Sequence, residues 1–301
     1  MCGIVGLFAK SLELEESLGE HLAAMLTQMS GRGPDSAGIA VYRNPAPFGS
    51  SKLTLFSPDP LEDWEALCQE LGARFGGSPE ASVRSSHAVI LVDAEAADAE
   101  AWVREAHPDL RVMSAGQAIE IYKETGRPEE FVSRFDLASF QGSHALGHTR
   151  MATESSVTTE GSHPFSTGLD LCLVHNGSLS NHNRLRERLR REGIAFQTEN
   201  DSEVAAGYLA WRLREGASLE EALEACLEDL DGFYTFLVGT LDGFAVLRDG
   251  IACKPAVIAE TDDWVAMASE WRAIATLPGA AEAREWEPAP GVAYAWERAK
   301  V

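Results

Sequence analysis

The chain opens on the apolar run Cys2-Gly3-Ile4-Val5-Gly6-Leu7-Phe8, which predicts a buried strand over Gly3 to Ala9. The pattern then changes period. Leu14, Leu18, Leu22, Met25 and Leu26 recur at helical spacing and predict a helix over Leu12 to Met29, with Ser11 as N-cap. The glycines and proline of Ser30-Gly31-Arg32-Gly33-Pro34-Asp35-Ser36 exclude regular structure and predict a ligand-facing loop, a candidate lid, before a strand from Ala37 to Tyr42. From Asn44 to about Phe140 the pattern is mixed. Asp59-Pro60-Leu61-Glu62 reads as a helix start, a strand is expected over Ala88 to Val92, an acidic helix over Ala94 to His107, a strand over Leu110 to Met113, and helical segments beyond.

The second half predicts strands over His144 to Thr149 and Asp170 to His175, then helices over Asn181 to Glu192 and Ser202 to Arg214, and a third capped by Ser218 with Glu221. Five β-rich stretches follow: Phe233 to Gly239, Phe244 to Arg248, Ala256 to Glu260, Trp264 to Ala268 and Gly291 to Trp296. Strands at both ends with helices between them suit stacked sheets covered by helices, an α+β architecture in which 44–140 is a small α/β insertion.

With 301 residues, 45% of them hydrophobic, the chain can bury a substantial core. Its net charge of -22 opposes binding to nucleic acid or to an anionic membrane. Cys2, Cys68, Cys172, Cys226 and Cys253 are odd in number, spread out and without a CxxC pair, which points to a reducing, cytoplasmic setting rather than a disulfide framework or a structural zinc site. No apolar stretch approaches the length of a membrane span. His144 and His148, four apart on a strand, are too far separated to share one ion, so no metal is expected.

Cys2 carries the chemistry. Removal of Met1 would leave a thiol and a free α-amine on one residue, and an amine with a pKa of about 8 can take the thiol proton. By position alone Cys2 is equally a small hydrophobe opening an edge strand. Four further segments accompany it: Arg32-Gly33-Pro34-Asp35-Ser36-Ala37-Gly38, Gly147-His148-Thr149-Arg150-Met151-Ala152-Thr153, His175-Asn176-Gly177 and Asn200-Asp201-Ser202-Glu203. Together these resemble the class II glutamine amidotransferases of the N-terminal-nucleophile hydrolase group.

The resemblance implies a four-layer αββα sandwich, with Cys2 as nucleophile and Asn176 and Gly177 as the oxyanion hole. It implies that Arg150 and Asp201 grip glutamine, with Thr153 at the carboxylate end. Residue chemistry agrees, since a guanidinium binds an α-carboxylate bidentately and a carboxylate suits an α-ammonium. Arg32 is the candidate substrate contact on the lid. Glu154-Ser155-Ser156 stands where many relatives carry histidine and glycine. With no phosphate loop, GxGxxG fingerprint or cysteine cluster in the chain, the resemblance implies a subunit of a hetero-oligomer whose synthase partner, glutamate synthase-like or N-methylglutamate synthase-like, would carry any flavin and iron-sulfur centres. Two other readings stand beside it: a glutamine-binding or structural subunit without turnover, and an N-terminal-nucleophile amidohydrolase acting on another amide.

Overall fold

The computed structural model describes residues 2–152 and 157–298. In chain order the elements are β1 (Gly3–Ala9), α1 (Leu12–Gln28), β2 (Ser36–Tyr42), β3 (Ser51–Phe56), α2 (Trp64–Phe75), β4 (Ala81–Arg84), β5 (His87–Val92), α3 (Ala96–Ala106), β6 (Arg111–Gly116), β7 (Ile119–Thr125), α4 (Pro128–Arg134) and β8 (His144–Arg150). Then come β9 (Phe165–Gly168), β10 (Leu171–Leu179), α5 (His182–Arg191), α6 (Asp201–Arg214), α7 (Leu219–Asp229), β11 (Gly232–Gly239), β12 (Gly243–Arg248), β13 (Val257–Glu260), β14 (Trp264–Ala268), α8 (Trp271–Ile274), β15 (Arg284–Trp286) and β16 (Ala293–Glu297).

The strands pair antiparallel in three sheets ordered β15-β13-β14-β1-β8-β2-β7, β16-β12-β11-β10-β9 and β4-β5-β3-β6. Period-two alternation sorts the two larger sheets into layers. On β1, Val5, Leu7 and Ala9 pack toward α1, α4 and α8, while Ile4 and Phe8 face the second sheet. Gly6 shares that inner face, and a Cβ there would come within 2.6 Å of Leu237 on β11, so the sheets meet closely at this point. On β10, Cys172 and Val174 join the layer between the sheets, and Leu171 and Leu173 pack outward under α5, α6 and α7. Helix, sheet, sheet, helix is the expected αββα sandwich.

Within 44–140 the third sheet carries its own core under α2 and α3, built from Leu53, Leu55, Leu71, Ile90 and Val103. The segment after Met113 is a correction: it is not helical at first but strand, since β7 pairs along its length with β2 and closes the edge of the largest sheet. Its polar Glu120 and Lys123 are buried. The helix start is also shifted: Asp63, not Asp59, caps α2 by accepting from the Ala66 amide at 3.0 Å, and Asp59 instead accepts from Leu61 N at 2.8 Å in a turn. Ser11 occupies the N-cap position of α1 without a side-chain capping bond. Ser218 and Glu221 form the expected reciprocal capping box on α7. Among the described residues, no helix is long and apolar enough to cross a membrane.

Candidate active site

Register brings the motif residues together. The antiparallel pairing of β1 with β8 sets Gly3 opposite Thr149, so the start of one strand lies beside the end of the other and Cys2 beside Arg150. Asn176 continues the inner face of β10, and its Nδ2 donates to the Cys2 carbonyl at 3.3 Å. Asn176 and Gly177 lie inside β10, paired with Thr235 and Tyr234, rather than in a hairpin turn. Gly177 sits at φ +152°, where a Cβ would meet the Phe233 carbonyl at 2.0 Å, so no other residue fits.

The cleft where the strand ends meet encloses about 850 Å³. Cys2, Arg150, Gly177 and Asp201 all line it, with Gly161, His163, His175, Asn200 and Ser202. Asp201 is the first residue of α6, behind the N-cap Asn200, whose side chain accepts from Ser202 N at 2.9 Å. The carboxylate accepts from the Leu179 amide at 2.8 Å and sits at the positive end of the helix dipole. Arg150, 7% exposed, donates from Nη1 to the Gly161 carbonyl at 3.0 Å. The same carbonyl accepts from Asn200 Nδ2 at 3.3 Å, which ties the arginine side of the cleft to the aspartate side. The Cys2 thiol contacts the Met151 carbonyl at 4.0 Å, a long sulfur contact. Thr153 lies outside the described residues.

Arg32 stands behind the cleft rather than in its lining. It is 9% exposed, donates from Nε to the Cys2 carbonyl at 2.9 Å, and pairs through Nη1 with Glu270 at 2.6 Å. The glycine loop that carries it is packed down, not raised as a lid. A Cβ on Gly33 would lie 2.3 Å from the Thr149 backbone, Asp35 N donates to the Arg150 carbonyl at 3.0 Å, and the Asp35 carboxylate accepts from Ala152 N at 2.8 Å. Asp35 was already visible in its motif as sequence. Glu270 and Ser269, which accepts from Ile4 N at 2.9 Å, carried no sequence signal, because only the pairing of β1 with β14 brings them to the N-terminal strand.

The histidines divide by environment. His144 meets the Thr240 carbonyl and stacks on Tyr42, whereas His148 meets the His175 carbonyl at 3.1 Å and stacks on His163 with ring centres 4.0 Å apart. Burial pushes the pKa of His148 down to about 3 and holds those of His163 and His175 below the ordinary range. Among the described residues, no group of three histidine, cysteine or acidic side chains could hold a metal ion.

Comparison with known proteins adds four findings. The glutamine amidotransferase domain family matches residues 148–276. The glutamine amidotransferase-like protein GlxB of Rhizobium meliloti is 55% identical over 302 residues, covering 100% of both chains. A putative glutamine amidotransferase of Methanothermobacter thermautotrophicus is 32% identical, covering 96% of this chain and 97% of its own. Among solved structures, the glutamine phosphoribosylpyrophosphate amidotransferase of B. subtilis aligns over 98% of this chain with a TM-score of 0.62 at 21% identity. This chain spans 47% of that protein, and the likeness is one of fold.

Proposed function

The chain belongs to the glutamine amidotransferase family, and from that premise we propose that it is of the class II type, hydrolyses the side-chain amide of glutamine through Cys2 and passes the nitrogen to a separate synthase subunit. The observation that carries the reading is the convergence of Cys2, Arg150, Gly177 and Asp201, from four separate segments, on one cleft. A zwitterionic amino acid needs a cation for its carboxylate and an anion for its ammonium, and Arg150 and Asp201 both line the cleft, joined through Gly161 and Asn200.

In this reading the Cys2 thiol, freed of its proton by the terminal amine once Met1 is removed, attacks the amide carbon. The negative oxygen that develops is met by the Gly177 amide and by Asn176 Nδ2, which is held against the Cys2 carbonyl until the substrate arrives. Ammonia leaves with the amine's proton, and water then releases glutamate from the thioester. Arg32 acts from behind by fixing the Cys2 carbonyl, and Thr153 completes the carboxylate end. Free ammonia is mostly protonated at neutral pH and lost as a nucleophile, which favours a docked acceptor enzyme in a hetero-oligomer. A glutamate synthase-like or N-methylglutamate synthase-like partner would supply any flavin and iron-sulfur chemistry.

The test is glutamate release from glutamine by the purified chain, alone and with copurifying subunits. Cys2→Ala abolishes it. Arg150→Lys and Asp201→Asn raise KM by about 100-fold, as expected when a charge-assisted contact is lost. Turnover by Cys2→Ala, or unchanged KM in both variants, rejects the reading.

A further inference from the structure

Behind one wall of the cleft stands a buried carboxylate that the proposed chemistry does not use. Gln197, Thr198, Glu199 and Asn200 line the cleft in succession and lead into Asp201, the first residue of α6. Glu203, 3% exposed, sits behind that wall, where with Lys123, Gln197 and Thr198 it borders a separate void of about 20 Å³. It is the third residue of the helix, a position from which a glutamate ordinarily reaches back to the N-cap amide. Here it reaches further. Glu203 Oε1 accepts from Gln197 N at 2.7 Å, and Oε2 accepts from Thr198 N at 2.8 Å and from Thr198 Oγ1 at 2.7 Å. The N-cap amide is met instead by Thr198 Oγ1, to which Asn200 N donates at 3.2 Å.

These bonds form a relay. A carboxylate acts as acceptor toward the three converging donors, and the Thr198 hydroxyl gives its one proton to Glu203 while its lone pair receives Asn200 N–H. Asn200 in turn caps α6 through Ser202 N, and its carbonyl is held from α5 by Arg186 Nη2 at 3.1 Å. The first turn of a helix depends on such caps, and Asp201 stands in that turn. Leu179 N aims the Asp201 carboxylate, but the backbone that carries it is fixed through Asn200. The arginine side of the cleft is anchored separately: Lys123 Nζ donates to the carbonyls of Glu160 and Ser162, on either side of the Gly161 carbonyl that accepts from Arg150.

We propose that Glu203 is a positioning residue for glutamine recognition: through Thr198 and Asn200 it fixes the start of α6 and with it the place of Asp201. The inference rests on the glutaminase reading above, in which Asp201 holds the α-ammonium of the substrate. Glu203 therefore acts on the amine end of glutamine and leaves the carboxylate end, at Arg150, in place.

The experiment compares kcat/KM of the full chain for L-glutamine and for glutaramic acid, which keeps the side-chain amide and the carboxylate but lacks the α-amine, following ammonia release. The variants are Glu203→Gln, Thr198→Val, Thr198→Ser and the double variant Glu203→Gln/Thr198→Val. In Glu203→Gln the introduced amide turns an NH2 toward a donor in either orientation, and Thr198→Val keeps the side-chain shape while removing the hydroxyl. Wild type prefers glutamine. Glu203→Gln lowers kcat/KM for glutamine by about ten- to hundredfold, mainly through KM, and changes that for glutaramic acid by no more than about twofold, the pattern of a single displaced contact. Thr198→Val shows the same selective loss and Thr198→Ser retains most of the preference. The double variant loses little beyond Glu203→Gln, because both side chains act through one relay. Turnover of glutaramic acid reports a folded cleft. Equal losses on both substrates, a fall in kcat with KM unchanged, an undiminished preference, or a wild type without preference overturns the inference and leaves hydrolysis of glutamine by Cys2 standing. Where Glu203→Gln does not yield folded protein, Thr198→Val decides by the same comparison. A wild-type chain that releases no ammonia from glutamine defeats the glutaminase reading, and the inference falls with it.

Discussion

At Gly177 the requirements of backbone and of chemistry coincide. Its φ of +152° and the 2.0 Å approach that a Cβ would make to the Phe233 carbonyl forbid any side chain, while the residue lines the cleft between Asn176 and the Asp201 end of α6. Gly177→Ala is expected to cost about 3 kcal/mol in stability, the upper range for a strained backbone position, and to abolish glutamate release even where the variant is folded. Thermal unfolding and activity check the two parts, and an active, wild-type-stable variant contradicts both. Arg32 shows the opposite relation between motif and geometry. Its place in a glycine-flanked loop suggests a substrate contact as sequence, but the guanidinium turns inward to the Cys2 carbonyl and Glu270. A spacing pattern cannot distinguish a side chain that reaches out of a loop from one that pins the loop down.

Among the elements, the 158–165 segment that walls the cleft is held from beneath by β7. Lys123 Nζ donates to the carbonyls of Glu160 at 3.0 Å, Ser162 at 2.9 Å and Pro164 at 3.2 Å, and lies over the Phe165 ring. Burial pushes its pKa down to about 8, with the nearby Glu203 and Glu160 pulling the other way. Because that segment presents the Gly161 carbonyl to Arg150 and Asn200, Lys123→Met is expected to raise KM for glutamine by about tenfold more than it changes kcat, with each orphaned carbonyl costing about 1 to 3 kcal/mol. A lowered Tm with unchanged KM would show that the lysine supports the fold and not the cleft. The same strand explains what sequence concealed. β1 and β14 were legible to the residue because they are apolar throughout, and α7 because its capping box is local. β7 and β3 were not, since Glu120 and Lys52 look like surface residues until their buried 2.8 Å pairing joins two sheets.

For the whole molecule, the αββα sandwich is what lets a site be assembled from segments 200 residues apart. Two sheets packed face to face bring the start of β1, the end of β8 and the middle of β10 to one end of their shared layer, and α6 delivers Asp201 to the same rim. The motif residues were readable one by one from the chain, but the second ring around them was not. Glu270, Ser269 and Lys123 reach the site only through long-range register. The central claim is that a processed Cys2 is the nucleophile of a glutamine-shaped cleft. Peptide mapping and intact mass after treatment with a diazoketone analogue of glutamine test it most directly. The account predicts a chain lacking Met1 with a single adduct on Cys2, prevented by excess glutamine; retention of Met1 in the reactive protein, or an adduct on any other residue, would contradict it.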